Sequence, residues 1–241
     1  LSLKNQPPYW PSRTRSYLGV LVDDLSTWEK PEPYRITPGH AEFRLTLRDD
    51  SAERRLIADG YRIGLVNEAR FSEIYAWSSR IENEIARMAE LSLLPTGEIR
   101  ERVLQYGTGA LKKPASATEI LQRPGIGYFE AMKLFGQSVE NLLSATDEVY
   151  ALETEIKYSG YFERESERII QTSFLEKIRL PMDISDPRLR VLSPHALQLL
   201  ASDKYDDLSQ MVRKHCLSRS ELAILLSVLG KNDDAEDQQQ G

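Results

Sequence analysis

The stretch "PYRITPGHAEFRLTLRDDSAERRL", residues 33–56, threads Arg35, His40, Arg44, Arg48, Arg54 and Arg55 through Phe43, Leu45, Leu47 and Leu56. A guanidinium presents a planar fork of donors that suits phosphate or carboxylate bidentately. Placed on a helix, "GHAEFRLTLR" sets Arg44 and Arg48 one turn apart beside Ala41 and Leu45, with Phe43 and Leu47 on the neighbouring face. Two readings follow. Arg44 and Arg48 pair with Glu42, Asp49 and Asp50 in a solvated network of little energetic weight, or they are pinned beside a packed face and open to a polyanion. A second block, "IKYSGYFERE", sets Lys157, Tyr161 and Arg164 at steps of four and three, a shared helical face, with Tyr158 adjoining and Gly160 permitting close approach of another backbone. That face packs another helix with tyrosine stems buried, or it contacts RNA, with Tyr158 or Tyr161 stacking and Lys157 and Arg164 on phosphate. Spacing leaves both blocks open.

Other chemistry is poorly equipped. Cys216 is the single cysteine, which rules out an intramolecular disulfide and a multi-cysteine zinc site. His40, His195 and His215 lie far apart without metal-ligand spacing. The lone G-x-G in "GTGALKKPAS" is not a nucleotide-binding loop, and no catalytic residue is assigned. The formal net charge of −6 argues against a surface that binds nucleic acid all over. Half of that charge sits in the last residues, where Asp233, Asp234, Glu236 and Asp237 oppose Lys231, so local basic patches remain open. No apolar run approaches the roughly 20 residues that span a bilayer. "LSLKNQPPYWPSRTRSY" has no signal-peptide pattern and reads as a fragment or processed product, with the cytoplasm as default compartment.

The elements that must position these residues are predicted to be mostly α-helical, with two long antiparallel helices, a small C-terminal helical bundle and an irregular N-terminal segment. "DDSAERRLIADGYRIG" carries a capping-box spacing from Asp50 to Glu53. Asn67 caps a long helix whose stripe runs through Phe71, Ile74, Ser78, Ile81, Ile85 and Met88, with Pro95 and Gly97 beyond it. Ser116 and Glu119 form another capping box. A second long helix is expected from Thr146 to about Lys177, then a linker at Pro181 and Pro187, a helix capped by Ser193-Pro194, and two last helices, "DDLSQMVRK" and "RSELAILLSVL", the latter started by Ser218 with Glu221 three residues on. The expected divisions are a junction over residues 1–66, a long-helix domain over 67–190, a helical subdomain over 191–229 and a disordered acidic tail over 230–241.

Several of these stretches resemble the C-terminal portion of the MnmG (GidA) family of bacterial tRNA wobble-uridine modification flavoproteins. "YLGVLVDDL", residues 17–25, is similar to the family's Y-I-G-V-L-I-D-D-L. Glu32-Pro33-Tyr34-Arg35, Ala41-Glu42-Phe43-Arg44-Leu45 and Leu47-Arg48 fit its E-P-Y-R and A-E-Y-R-L-x-L-R, and Gly64-Leu65-Val66 its G-L-V. "LQRPGIGYFE" resembles L-x-R-P-x-x-x-Y-E, and "IKYSGYFERE" resembles I-K-Y-x-G-Y-I-x-R-Q. The likeness runs from about residue 15 to 229 and fades near the end, where "RKHCLSR" replaces R-I-S-G-V-T-P. Pro38-Gly39-His40 also departs from the family's T-S-R.

The resemblance implies a homodimeric enzyme that binds FAD in a Rossmann-like domain, uses NADH and takes its one-carbon unit from methylenetetrahydrofolate. With an MnmE-type GTPase it modifies C5 of the tRNA wobble uridine. The flavin and NADH sites are expected outside this chain, which is expected to be inactive alone. Carried over residue by residue, Arg35, Glu42, Arg44 and Arg48 are candidates to face tRNA or the flavin domain, with Glu42 orienting a guanidinium. Lys157, Tyr158, Tyr161 and Arg164 are candidates to contact tRNA or the partner. A protein–protein scaffold for the GTPase without RNA contact is the alternative, favoured by the acidic charge. Helix-turn-helix DNA binding by "LSQMVRKHCLSRSELAIL" ranks lower, because its second helix offers only Arg219 to read bases.

Overall fold

The computed structural model describes residues 8–26, 32–138, 142–180, 186–202, 205, 207–213 and 217–236. They are mostly helical, as predicted, and fall into two compact units, Leu1–Glu165 and Ser166–Gly241. No division comes after residue 66, because helix α2 (Ala52–Arg62) packs along helix α3 (Glu68–Glu90).

In the first unit, helix α1 (Tyr17–Ser26) starts where the Ser16 hydroxyl accepts the Gly19 N–H at 2.9 Å. A Cβ on Gly19 would lie 2.3 Å from the Ser12 carbonyl oxygen, so only glycine fits there. Asn67 caps α3 as expected, accepting the Arg70 N–H at 2.9 Å. Of the α3 stripe, Ile74, Ile81 and Met88 are buried, joined by Glu84, a polar residue that the periodicity did not single out. Helix α4 (Gly97–Leu104) follows, then α5 (Ala117–Leu121), which begins on the capping box of Ser116 and Glu119. Ser92–Leu93 (β1) and Ala115–Ser116 (β2) form a short antiparallel pair. Helix α6 (Tyr128–Leu134) completes a core of which Ile81, Met88, Val103, Ile120 and Met132 are members.

The helix expected from Thr146 to Lys177 is broken into α7 (Thr146–Lys157) and α8 (Ser159–Lys177). Ser159 and Gly160 are weak helix formers, and the chain restarts there, with the Tyr161 and Phe162 N–H groups both donating to the Tyr158 carbonyl. Gln122 supports the break, donating from Nε2 to the Ile156 carbonyl at 3.3 Å and to the Ser159 hydroxyl at 3.1 Å.

Two expectations on the basic stretch are also corrected. Residues 39–48 are not a helix: Pro38–His40 is a 3-10 turn, and residues 44–47 form a turn closed by Leu47 N–H to Phe43 carbonyl at 2.9 Å. The Asp50–Glu53 capping box does not form either. Ser51 stands at the N-cap without a side-chain cap bond, because its hydroxyl donates back to the Arg48 carbonyl at 3.2 Å, while Asp50 is taken by Arg48.

The second unit contains a 3-10 turn (Pro187–Val191) and helices α9 (Pro194–Ser202), α10 (Leu208–Arg213) and α11 (Arg219–Glu236), around Ile178, Leu189, Leu208, Met211 and Leu225. The Ser193 hydroxyl caps α9, accepting the Ala196 N–H at 3.2 Å. Ser218 and Glu221 form the expected reciprocal cap on α11, and the same carboxylate also accepts the Ser193 N–H at 2.7 Å. Helix α11 runs to Glu236, into the stretch expected to be a disordered tail, since no proline follows Gly230 to stop it. Residues 237–241 lie outside the described residues, as do His215 and Cys216.

Candidate nucleic-acid interface

The basic stretch is held in place by a residue the sequence did not single out. Arg13 is 8% exposed, and its guanidinium donates to Glu42 (Nε to Oε2, 3.0 Å; Nη2 to Oε1, 2.9 Å), to Asp23 (3.0 Å), to Asp24 and to the His40 carbonyl (3.0 Å). Burial works against its charge, but the bonds to Glu42 and Asp24 outweigh it and raise the Arg13 pKa above its ordinary value. Asp24 also accepts the Tyr34 hydroxyl at 2.6 Å and faces His40 Nδ1 at 3.3 Å. Burial and that bond to Asp24 push the Tyr34 phenol up to about 12. This cluster ties α1 to residues 34–42. Glu42 therefore orients Arg13, not one of Arg35, Arg44 and Arg48 as expected, because the buried guanidinium reaches it with two donors. Two aspartates closing an apolar helix were the signal in the sequence.

The turn that follows separates the two arginines expected to form a row. Phe43 and Leu47 are 3% and 2% exposed, and Glu165, from α8, accepts the N–H groups of Leu45 (3.3 Å) and Thr46 (2.6 Å). Arg44 projects from this fixed turn into solvent, and Arg35 is likewise exposed; neither makes a hydrogen bond or ion pair among the described residues. Arg48 turns the other way. Its Nε and Nη2 donate to Asp50 (2.8 and 3.2 Å), its Nη1 to the Leu45 carbonyl (3.2 Å), and it lies 5.2 Å over the Phe162 ring.

Beyond Arg48 a groove of about 1000 Å³ runs among α2, α3, α5, α7 and α8, with Ile57, Ile85 and Phe162 on its walls. Arg54 reaches across it to an ion pair with Glu155 and lies 5.2 Å over the Trp77 ring. Arg55 is different. It donates to the Arg15 carbonyl (2.7 Å), the Thr46 carbonyl (2.6 Å) and the Ser51 hydroxyl (2.6 Å), with no carboxylate in ion-pair distance among the described residues. Burial, then the charges of Arg15 and Arg48, lower its pKa from the ordinary value.

The second block is open. Tyr158 and Tyr161 are 47% and 57% exposed, their rings 6.2 Å apart, and the Arg164 guanidinium lies 5.1 Å from the Tyr161 ring while its Nε donates to the Gly160 carbonyl at 3.0 Å. A Cβ on Gly160 would meet nothing within 4 Å, so the close backbone approach considered for it does not occur among the described residues. Lys157 folds onto Glu153 of its own helix at 3.0 Å. Through Phe162 against Arg48 and Glu165 on the turn, α8 joins the two blocks.

"LQRPGIGYFE" is structural. Tyr128 is fully buried, donates to Glu84 Oε1 at 2.6 Å and accepts the Leu143 N–H at 3.2 Å. Gly125 has φ of 78°, and a Cβ there would sit 2.8 Å from the Tyr106 carbonyl oxygen. In the C-terminal pair considered for DNA, Leu225 and Leu229 of α11 are buried in the core of the second unit. Among the described residues no acid, histidine or cysteine group has metal-holding geometry, and no helix is long and apolar enough to cross a membrane.

The helical architecture is that of a domain from a tRNA-modifying enzyme: residues 68–166 match the family described as tRNA modifying enzyme MnmG/GidA C-terminal helical domain. Curated relatives named tRNA uridine 5-carboxymethylaminomethyl modification enzyme MnmG align along nearly the whole chain. One from Streptococcus mutans is 32% identical over 96% of this chain and 37% of its own length. Another, from Clostridium botulinum strain Loch Maree, is 35% identical over 94% of this chain and 36% of its own. The GidA structure from Aquifex aeolicus in its form II crystal shares the fold, with a TM-score of 0.70 at 23% identity, over 95% of this chain and 35% of that one. The chain belongs to the MnmG/GidA family. It spans little more than a third of the length of these relatives.

Proposed function

We propose that this chain is the tRNA- and partner-docking region of an FAD-dependent enzyme that modifies C5 of the tRNA wobble uridine. The observation that carries this reading is the pair Arg35 and Arg44, two exposed guanidiniums without an acid partner among the described residues, one of them on a turn fixed by buried Phe43 and Leu47. Charges on a fixed turn meet phosphate without first being ordered, and phosphate contacts position a nucleic acid. The names of the relatives, tRNA uridine modification enzymes, supply the substrate class. Arg48 serves this surface by shaping the turn, since its donors are already engaged by Asp50. The expected result is that the double variant Arg35→Ala/Arg44→Ala binds tRNA about tenfold more weakly in an anisotropy titration, with an unchanged melting temperature. Equal affinity for both proteins would refute it.

Flavin, NADH and folate chemistry is proposed for the whole enzyme, since this chain spans little more than a third of the length of its relatives. The homodimer is likewise a property proposed for the whole enzyme. A second reading, docking of an MnmE-type GTPase, is favoured by the uncovered Tyr158, Tyr161 and Arg164, since aromatic residues and arginine carry binding energy at protein interfaces. The GTPase retained on immobilised chain after RNase treatment, and lost with Tyr161→Ala, is the expected outcome. Retention that disappears with the RNA would limit the chain to tRNA.

A further inference from the structure

The groove behind the basic turn has features that docking on helix phosphates does not need. Tyr61, Phe71 and Tyr75 form a ladder along α2 and α3, with ring centroids 4.6 and 6.1 Å apart and planes within 19° and 28° of parallel. The ladder is anchored at one end, where the Tyr61 hydroxyl donates to Glu68 at 2.6 Å. At the other end Tyr75 is 64% exposed and lines the groove. A large ring left open at the end of a stack is a platform for another flat π-system.

The same groove holds Arg55, whose Nη2 donates to nothing among the described residues and whose charge meets no carboxylate at ion-pair distance. It also holds two exposed carboxylates, Glu82 and Glu163, which engage no cation among the described residues. A phosphate suits the first, and sugar hydroxyl groups or base N–H groups suit the second. An acidic peptide would be repelled by both glutamates, and a duplex would bring no free ring to Tyr75. The volume of about 1000 Å³ is at the upper end of the range of roughly 300–1000 Å³ that small-molecule sites occupy.

We infer that this groove takes an unpaired segment of RNA, one base stacking on Tyr75, a phosphate beside Arg55, and Glu82 or Glu163 accepting from a ribose 2′-hydroxyl. It rests on the proposal that the chain docks tRNA and adds to it: paired regions meet Arg35 and Arg44, and an unstacked nucleotide meets the groove. Base–aromatic stacking tolerates any base, and the 2′-hydroxyl separates RNA from DNA.

The test titrates the full 241-residue chain with a labelled single-stranded RNA octamer, the same sequence in DNA, and a fully paired RNA hairpin, by fluorescence anisotropy at one salt concentration. Tyr75→Ala is expected to weaken octamer RNA binding about tenfold, in the range that loss of one stack gives, and to leave hairpin binding within about twofold. Tyr75→Phe is expected to retain binding of the octamer, and DNA to bind more weakly than RNA. Tyr75 is exposed, so its removal leaves the core intact. Arg55→Gln, with folding checked by a thermal melt, is expected to weaken the octamer as well. Tyr75→Ala shifting octamer and hairpin equally, or neither, would overturn the groove while leaving tRNA docking in place. A chain that binds none of these RNAs would overturn both.

Discussion

Arginines in this chain divide by what already holds them. Arg13 is enclosed by Asp23, Asp24 and Glu42; Arg48 is taken by Asp50; Arg54 by Glu155; Arg35 and Arg44 are left to solvent. Arg13→Ala would leave three carboxylates crowded together, and removing one partner of a buried ion cluster costs about 3–5 kcal/mol. The expected outcome is a large fall in the midpoint of urea unfolding. Arg48→Ala should behave otherwise, lowering the midpoint slightly, about 1 kcal/mol for an exposed pair, while the salt dependence of tRNA binding stays unchanged. Glu221 gives a pH test. Its bonds to Ser218 and Ser193 push its pKa down to about 2 from the ordinary 4.5. A carboxyl whose folded pKa is depressed stabilises fully above its unfolded pKa, and that contribution is lost as pH falls from about 4.5 toward 2. Glu221→Gln should therefore melt earlier than the wild type at pH 7, with the difference shrinking toward pH 2.

At the scale of elements, what the sequence made legible was local. Asn67 on α3, the Ser116–Glu119 box on α5, Ser193 before α9 and Ser218–Glu221 on α11 all cap as expected, because each cap acts over three residues. The basic stretch failed as a helix because its fate is decided by distant partners. Glu165, about 120 residues along the chain, takes the amides of Leu45 and Thr46, and Glu155 takes Arg54. No period in residues 39–48 announces an acceptor on α8. The break at Tyr158 was hidden likewise, since Gln122, more than thirty residues earlier at the end of α5, supports it. Glu165→Gln should loosen the turn: hydrogen exchange at the Leu45 and Thr46 amides is expected to speed up while the buried core amides of α6 keep their protection. Unchanged exchange at those two amides would mean that the carboxylate does not hold the turn. Of the candidate site, Arg35, Arg44, Tyr158 and Tyr161 are exposed, whereas Glu42 and Arg48 were legible as chemistry but not as roles. Their partners lie in Arg13 and Asp50, and spacing alone could not choose among the acids nearby.

For the molecule as a whole, the acidic net charge of −6 and the proposed tRNA-docking surface are compatible because Asp23, Asp24 and Glu42 are paired with Arg13, Glu155 is paired with Arg54, and half of the net charge sits beyond Gly230. What remains outward on the 34–48 segment is positive. Each phosphate neutralised by such a charge releases counterions, and affinity falls with salt in proportion to their number. The most direct measurement is the slope of log affinity against log salt for tRNA binding, wild type against Arg35→Ala/Arg44→Ala. The variant's slope is predicted to be shallower by about 0.9 for each phosphate it no longer neutralises, thus by one to two units in all; parallel lines for the two proteins would contradict a docking role for these arginines.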